Sequence, residues 1–553
     1  MSTAAKHGHE APRLKARRAQ AADRALEAQR QLVERLRDPA CYPHAVSRIT
    51  LIETHISFVV LTGEIAYKIK KSVDLGFVDF TSLDKRRFFC GEELRLNSRL
   101  APDIYLGVTP ICGRRGAPRV GGEGEAIEYA VRMRQFPQDA LADRAFRRGE
   151  LTARHIDSLA TLLAGFHSGL PPCSQADPYG SPETMWTFVA QNFAQLRELS
   201  AAAGQAAVDE LASWSRQEHR RLSETLGQRK REGRVRECHG DLHLGNIVLL
   251  DGEPRVFDCI EFNPQLRWID VMNEVAFPVM DLRAQGRPDL AARFLNAYLE
   301  STGDYSGVPL LRYYQVYRAL VRAKVSLMRA PRLPAKHPPR ARPQQRYREY
   351  LAVARDTARA PRPFIVIAHG FSGSGKTTLS QPLLELTGAI RVRSDVERKR
   401  LRGMAAGERG ASGIGQGLYG PAAIRSTYDR LLALAQIIVA AGHGAIVDAT
   451  FLQREQRDRF RDLAAQERVP FLIVDFTASE ALLRERILSR QQQGQDVSDA
   501  DLAVLDHQLR TQEPLQTDEL ESVLAYDASA AREQANDPLS WAGLLQRLSL
   551  PAD

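Results

Sequence analysis

The stretch HGDLHLGNIVLL, His239 to Leu250, sets polar and glycine positions directly before an apolar run of strand character. Asp241 and Asn246 lie five residues apart. Twelve residues after Asn246, the apolar run PRVFDCIEFN (254–263) delivers Asp258 at a strand end. A nucleoside triphosphate needs a metal ion to neutralise its β- and γ-phosphates, and an amide oxygen with a carboxylate can hold one. A second carboxylate can orient an attacking hydroxyl. These three side chains supply all of that at the required spacing. The competing readings are an Asp-capped turn and a metal-hydrolase set of His239, Asp241 and His243, which has no further histidine pattern to complete it.

Upstream, ISFVVLTGEIAYKIKK (56–71) reads as two strands joined at Thr62-Gly63-Glu64. Lys68 and Lys70 share parity and project from one face of the second strand. Lys70 and Lys71 read as solvated strand-end charge. DKRRFFCGEELRLNSRL (84–100) has a helical pattern, IEYAVRMRQF (127–136) a strand pattern, and beyond about residue 150 the pattern is mostly helical. A small sheet-rich lobe thus precedes a larger helical one. HGDxxxxN followed by a strand-end Asp resembles the catalytic loop of aminoglycoside phosphotransferases and choline-kinase-like enzymes, relatives of the protein kinases. The resemblance implies that Asp241 is the catalytic base, that Asn246 and Asp258 hold magnesium, and that Lys68, in IAYK (65–68), reaches the α/β-phosphates with Glu93 orienting it. Two features depart from protein kinases: no GxGxxG precedes the lysine, and DCIEFN stands in place of DFG. Asp270 is expected either to pair with the catalytic loop or to cap a helix.

A second signal opens at PFIVIAHGFSGSGKTTLS (363–380). A β-branched strand runs into Gly370, Phe371, Ser372, Gly373, Ser374 and Gly375, and a helix starts at Lys376, Thr377 and Thr378. This is a P-loop: backbone N–H groups approach phosphate, Lys376 reaches the β/γ oxygens and Thr377 binds magnesium. Strands at 389–393, 444–450 and 471–477 alternate with helices, which predicts a parallel sheet covered on both faces. RSDVERKR (393–400) offers Asp395 to a substrate hydroxyl and Arg398 to a phosphate or carboxylate. Asp448, at the end of its strand, suits the metal or its water. Arg486 and Arg490 lie four apart on one helix face, suited to closing over phosphate or, alternatively, to facing solvent. The set resembles small P-loop kinases of the gluconate-kinase, chloramphenicol-phosphotransferase and polynucleotide-kinase type.

Composition fits this reading. At 553 residues, with 44% hydrophobic and 26% charged residues, the chain has the makeup of a soluble protein of two or three domains. The longest apolar segment, LLALAQIIVAAG (431–442), is too short to span a bilayer. Six cysteines without a CxxC pair fit reduced thiols, and a cytoplasmic location is expected. The net charge of +9 concentrates in residues 1–30 and 329–348, which leaves the remainder slightly acidic and argues against nucleic acid as a partner. Prolines at 331, 334, 338, 339 and 343 predict an extended linker.

The expected fold is an α+β protein-kinase-like bilobal domain followed by an α/β P-loop domain with a mostly parallel sheet. Its boundaries are a basic N-terminal helix or tail at 1–40, the phosphotransferase-like domain at 41–330, a Pro/Arg-rich linker at 331–362 and the P-loop domain at 363–553. This order of domains resembles a bacterial fusion family. The expected activity is ATP- and Mg²⁺-dependent phosphoryl transfer to small-molecule hydroxyl acceptors at two sites. The alternatives are an ATP-binding regulatory protein and a polynucleotide-kinase-like enzyme.

Overall fold

Alternating apolar side chains build the first lobe around a hairpin of β2 (Ser57–Leu61) and β3 (Ile65–Lys70), with β1 (Thr50–Glu53) beside β2. The register pairs Phe58 with Ile69 and Val60 with Tyr67, and all four are buried on one face. On the other face Val59 lies opposite Lys68 and Ser57 opposite Lys70. β4 (Tyr105–Arg114), β5 (Ala117–Val120) and β6 (Ala126–Arg134) complete an antiparallel sheet in the order β1-β2-β3-β6-β4-β5. A helix over 24–35 covers the Phe58 face with Val33 and the following Leu36, and a helix over Leu83–Asn97 covers the other. Of the basic N-terminal segment expected as a helix or tail over 1–40, residues 1–23 lie outside the described residues. From residue 24 it is part of this lobe's core.

The structure is a computed structural model that describes residues 24–76, 78–200, 202–329, 341–404, 420–493, 501–529 and 532–548. The chain packs as two units. The first joins the sheet lobe to residues 170–179 and 234–269, and so carries the HGD segment. There the strands Ile247–Leu250 and Glu253–Val256 form a tight antiparallel hairpin.

The second unit contains the helical part and the P-loop domain together. The helix Val271–Ala284 starts at Asp270, which accepts a 2.8 Å bond from Met272 N–H and also binds Arg229 at 2.7 Å. Asp270 is thus a buried helix cap. Residues 341–362 were expected to be linker, but Ala341–Ala358 is a helix, held to Val271–Ala284 by a 2.7 Å bond from the Tyr350 hydroxyl to Asp281. Pro343 stands in that helix's first turn, where no N–H is needed. The other four linker prolines lie outside the described residues.

The P-loop sheet has five parallel strands in the order Ile390–Arg393, Ala445–Asp448, Ile365–His369, Phe471–Thr477, Val523–Asp527. Its three central strands are almost wholly apolar, as burial on both faces requires. At the edge strand Ile390–Arg393, Asn296 from the helix Pro288–Thr302 donates to Ala389 O at 2.9 Å and accepts from Arg391 N–H at 2.7 Å. One side-chain amide thereby occupies the place of a neighbouring strand.

Candidate active sites

In the first unit, the polar face of β3 carries an ionic chain. Lys68 Nζ lies 2.7 Å from Glu93 Oε1 and also binds Asp258, while Lys70 Nζ lies 2.7 Å from Glu93 Oε2 and also binds Glu261. Burial opposes charge on Glu93, but the two lysines outweigh it and hold its carboxyl down at about 2. Burial pushes the Glu261 carboxyl upward, against the pull of Lys70. Of these two carboxylates, Glu93 alone touches both lysines. The asymmetry suits Glu93 to fixing Lys68. Glu92, its neighbour, is occupied elsewhere by Arg95 at 2.9 Å.

The HGD segment is set by backbone bonds. Asp241 N–H donates to His239 Nδ1 at 3.3 Å, and His239 Nε2 lies 2.9 Å from Phe257 O, a pattern that fits the Nε2–H tautomer. Asn246 donates its amide to Asp241 O at 2.9 Å and to Asp241 Oδ2 at 3.2 Å. Phe257 N–H donates to Asn246 O at 3.0 Å, which sets the residue before Asp258 against the loop. Asp258 has φ +65, a left-handed conformation that an Asp tolerates at some cost. Its N–H donates to the Tyr105 hydroxyl at 3.2 Å, and Cys259 N–H donates to Asn97 at 2.8 Å, so neighbours hold the strained turn. Asp241 and Asp258 remain part-exposed, with 35% and 45% of their side-chain surface accessible.

In the second unit, Gly370 at φ +140 and Gly373 at φ +86 let the loop run where a Cβ would come within 2.8 Å of Phe476 O and Leu483 O respectively. Lys376 curls back to donate to Gly370 O at 2.8 Å and Phe371 O at 2.7 Å. Burial lowers its pKa to about 8, against the pull of Asp448 and Asp395. Thr377 Oγ1 donates to Asp448 Oδ2 at 2.6 Å. Asp395 pairs with Arg398 at 2.9 Å. Arg486 donates to Ser374 O at 3.4 Å and to Ala528 O at 2.8 Å. Gly373, Lys376, Thr377, Asp395, Arg398, Asp448 and Arg486 border a cavity of about 930 Å³ that also exposes Thr378, Arg393, Tyr428, Arg490 and Gln508. Gln508 exchanges two bonds with Ser372, its Oε1 accepting from the backbone N–H at 2.9 Å and its Nε2 donating to Oγ at 3.0 Å.

The structure therefore joins Lys68, Glu93 and Asp258, joins Asp241 to Asn246, and gathers Lys376, Thr377, Asp448, Asp395, Arg398 and Arg486 around one space. Both donor sets fit a hard divalent cation: amide and carboxylate oxygens at Asn246 and Asp258, hydroxyl and carboxylate oxygens in contact at Thr377 and Asp448. Such an ion would neutralise phosphate charge. Beside the first of these sites an expectation is overturned. Lys70 and Lys71 are buried, at 0% and 6% exposure, rather than solvated. Lys70, Glu261 and Gln508 were not recognised from sequence. The strand parity of Lys68 and Lys70 was the available signal for the first of them.

A model of the phosphotransferase enzyme family matches residues 122–311, and a model described as an AAA domain matches residues 365–515. The chain therefore joins a segment of the phosphotransferase enzyme family to a P-loop segment that the AAA-domain model matches. It belongs to the family of the uncharacterized protein Rv2004c of Mycobacterium tuberculosis (strain ATCC 25618 / H37Rv), with 31% identity over 459 residues that cover 82% of this chain and 89% of the relative. Among solved structures, it resembles a sugar kinase from Janibacter sp. HTCC2649, at 21% identity, 34% of this chain, 96% of that chain and a TM-score of 0.26. It also resembles the ethanolamine kinase of Plasmodium vivax, at 11% identity, 56% of this chain, 84% of that chain and a TM-score of 0.33.

Proposed function

We propose that the chain is a bifunctional phosphotransferase that uses ATP and Mg²⁺ at two separate sites and transfers phosphate to hydroxyl groups of small molecules. The observation that carries this reading is the single cavity shared by the P-loop, Asp448 and Asp395, because it sets a phosphate cradle, metal-binding oxygens and a carboxylate for the acceptor around one volume. The first unit supports the same chemistry with different parts. Lys68, oriented by Glu93, would hold phosphate oxygens, Asn246 and Asp258 would hold the metal, and Asp241 would accept the proton of the acceptor hydroxyl. Arg398 beside Asp395 favours an acceptor that also carries an anionic group.

A second reading, an ATP-binding regulator, is favoured by one observation. The helix Pro288–Thr302 is bonded to the P-loop sheet through Asn296, a route by which nucleotide binding could move the helical part. Calorimetric titration with a non-hydrolysable ATP analogue and Mg²⁺ tests the two-site reading. The unmodified chain should bind about two equivalents, and Asp258→Ala and Lys376→Ala should each leave about one. One equivalent in the unmodified chain would refute two sites. Two equivalents with no ATP consumed over sugars, amino alcohols, nucleosides and antibiotics would favour the regulator.

A further inference from the structure

Arg393 ends the edge strand of the P-loop sheet, level with Asp448 on the adjacent strand, and borders the cavity. Its Nη1 lies 2.6 Å from Glu300, and its Nε is 3.9 Å from Asp448 Oδ2, the oxygen that accepts from Thr377. Burial opposes the charge on Arg393, and Glu300 and then Asp448 outweigh that cost. Glu300 belongs to the helix Pro288–Thr302, inside the stretch matched by the phosphotransferase model.

That helix is pinned to the P-loop domain along its length. Arg293 binds Glu385 at 2.8 Å, Asn296 holds the sheet edge, and Arg400 donates to Glu300 O at 2.5 Å. Beyond its end, Gly303 at φ +68 leaves room for Arg400, whose Nε would lie 2.6 Å from any Cβ there. Glu300 therefore sits on a fixed support.

We infer that Glu300 is a positioning residue for the P-loop site, holding the Arg393 guanidinium away from Asp448 so that the Asp448 carboxylate stays available to the divalent ion. This rests on the reading of the P-loop as a Mg²⁺–nucleotide site. A guanidinium deprived of its nearer carboxylate turns to the remaining one, and an Arg–Asp pair closing from 3.9 Å to bonding distance competes with a cation for the same oxygen. The phosphotransferase half thus completes the metal site of the P-loop half.

The test uses the full chain carrying Asp258→Ala, so that only the P-loop site is read. An ATP analogue is titrated with Mg²⁺ and again in chelator. Added Glu300→Gln should lower the Mg²⁺-dependent gain in affinity by about fivefold while leaving binding in chelator within about twofold. Removing the guanidinium as well, in Glu300→Gln with Arg393→Gln, should recover most of the gain. Glu385→Gln breaks an ion pair in the same interface away from the cavity and should leave the gain unchanged. An unchanged gain in Glu300→Gln, equal losses with and without Mg²⁺, the same loss in Glu385→Gln, or no recovery in the double variant would each overturn the positioning role. If Lys376→Ala removes no binding in this background, the P-loop reading itself falls and takes the inference with it.

Discussion

Lys70 holds its ammonium 2.7 Å from Glu93, and neither side chain is exposed to solvent. Glu93 gives its other oxygen to Lys68, so one carboxylate spans both lysines. The position of Lys68 thus depends on side chains that solvent does not reach.

The two lysines should separate cleanly on substitution. Lys70→Met leaves Glu93 and Glu261 buried beside one cation fewer, and should lower folding stability by roughly 3 kcal/mol. Lys68→Met keeps Lys70 on Glu93 and should cost less stability while weakening nucleotide binding at the first site. Denaturant unfolding beside analogue titration measures both. Equal stability losses would show that Lys70 holds no special place.

Asp241→Asn keeps the shape of the side chain and removes its basicity. Phosphorylation of the acceptor at the first site should fall by about a hundredfold or more, with ATP affinity within a few-fold of the parent. Steady-state kinetics with binding isotherms decide it, and a parallel loss of ATP binding would remove Asp241 from the role of base.

Arg486 spans Ser374 O and Ala528 O, so it braces the P-loop as well as facing the cavity. Arg486→Ala should slow transfer at the P-loop site by at least tenfold and weaken ground-state ATP binding less, since such an arginine acts mainly on transition-state charge. Unchanged turnover at that site would return Arg486 to a bracing role alone.

Lys376 supplies a pH signature. Its pKa near 8 lies below the ordinary 10.5, so its buried charge costs the free protein stability below about pH 8, a cost relieved as the pH rises between these values. Phosphate beside the ammonium favours the charged form. Nucleotide binding near pH 8.5 should therefore take up a fraction of a proton, and binding near pH 6.5 almost none at this residue. Calorimetry in buffers of different ionisation enthalpy reads the uptake, and Lys376→Met should abolish it. Proton release on binding would contradict the assignment.

Much of the architecture was legible because its signals are local. The hairpin at 56–71, the HGD segment and the P-loop each announce themselves within about twenty residues, through alternation, glycine placement and side-chain chemistry. Lys70 was misread because its partner Glu261 lies 191 residues on, and nothing near a strand end distinguishes a buried cation from a solvated one. The helix Ala341–Ala358 was hidden behind the proline run, although its tyrosine and arginine pattern is compatible with a packed face. Glu300 and Arg393 stand on a helix and a strand ninety-three residues apart, so neither could be paired before the fold brought them together.

The amide of Asn296 bonded to Ala389 and Arg391 also bears on how the chain can be divided. A fragment cut at the proline run would present the strand Ile390–Arg393 as a bare sheet edge, with a free carbonyl at Ala389 and a free N–H at Arg391, the arrangement that recruits strands from other molecules. The P-loop half is therefore a module by sequence and a dependent by solubility: on its own it should self-associate, and supplying the segment that contains Pro288–Thr302 should return it to a monodisperse form.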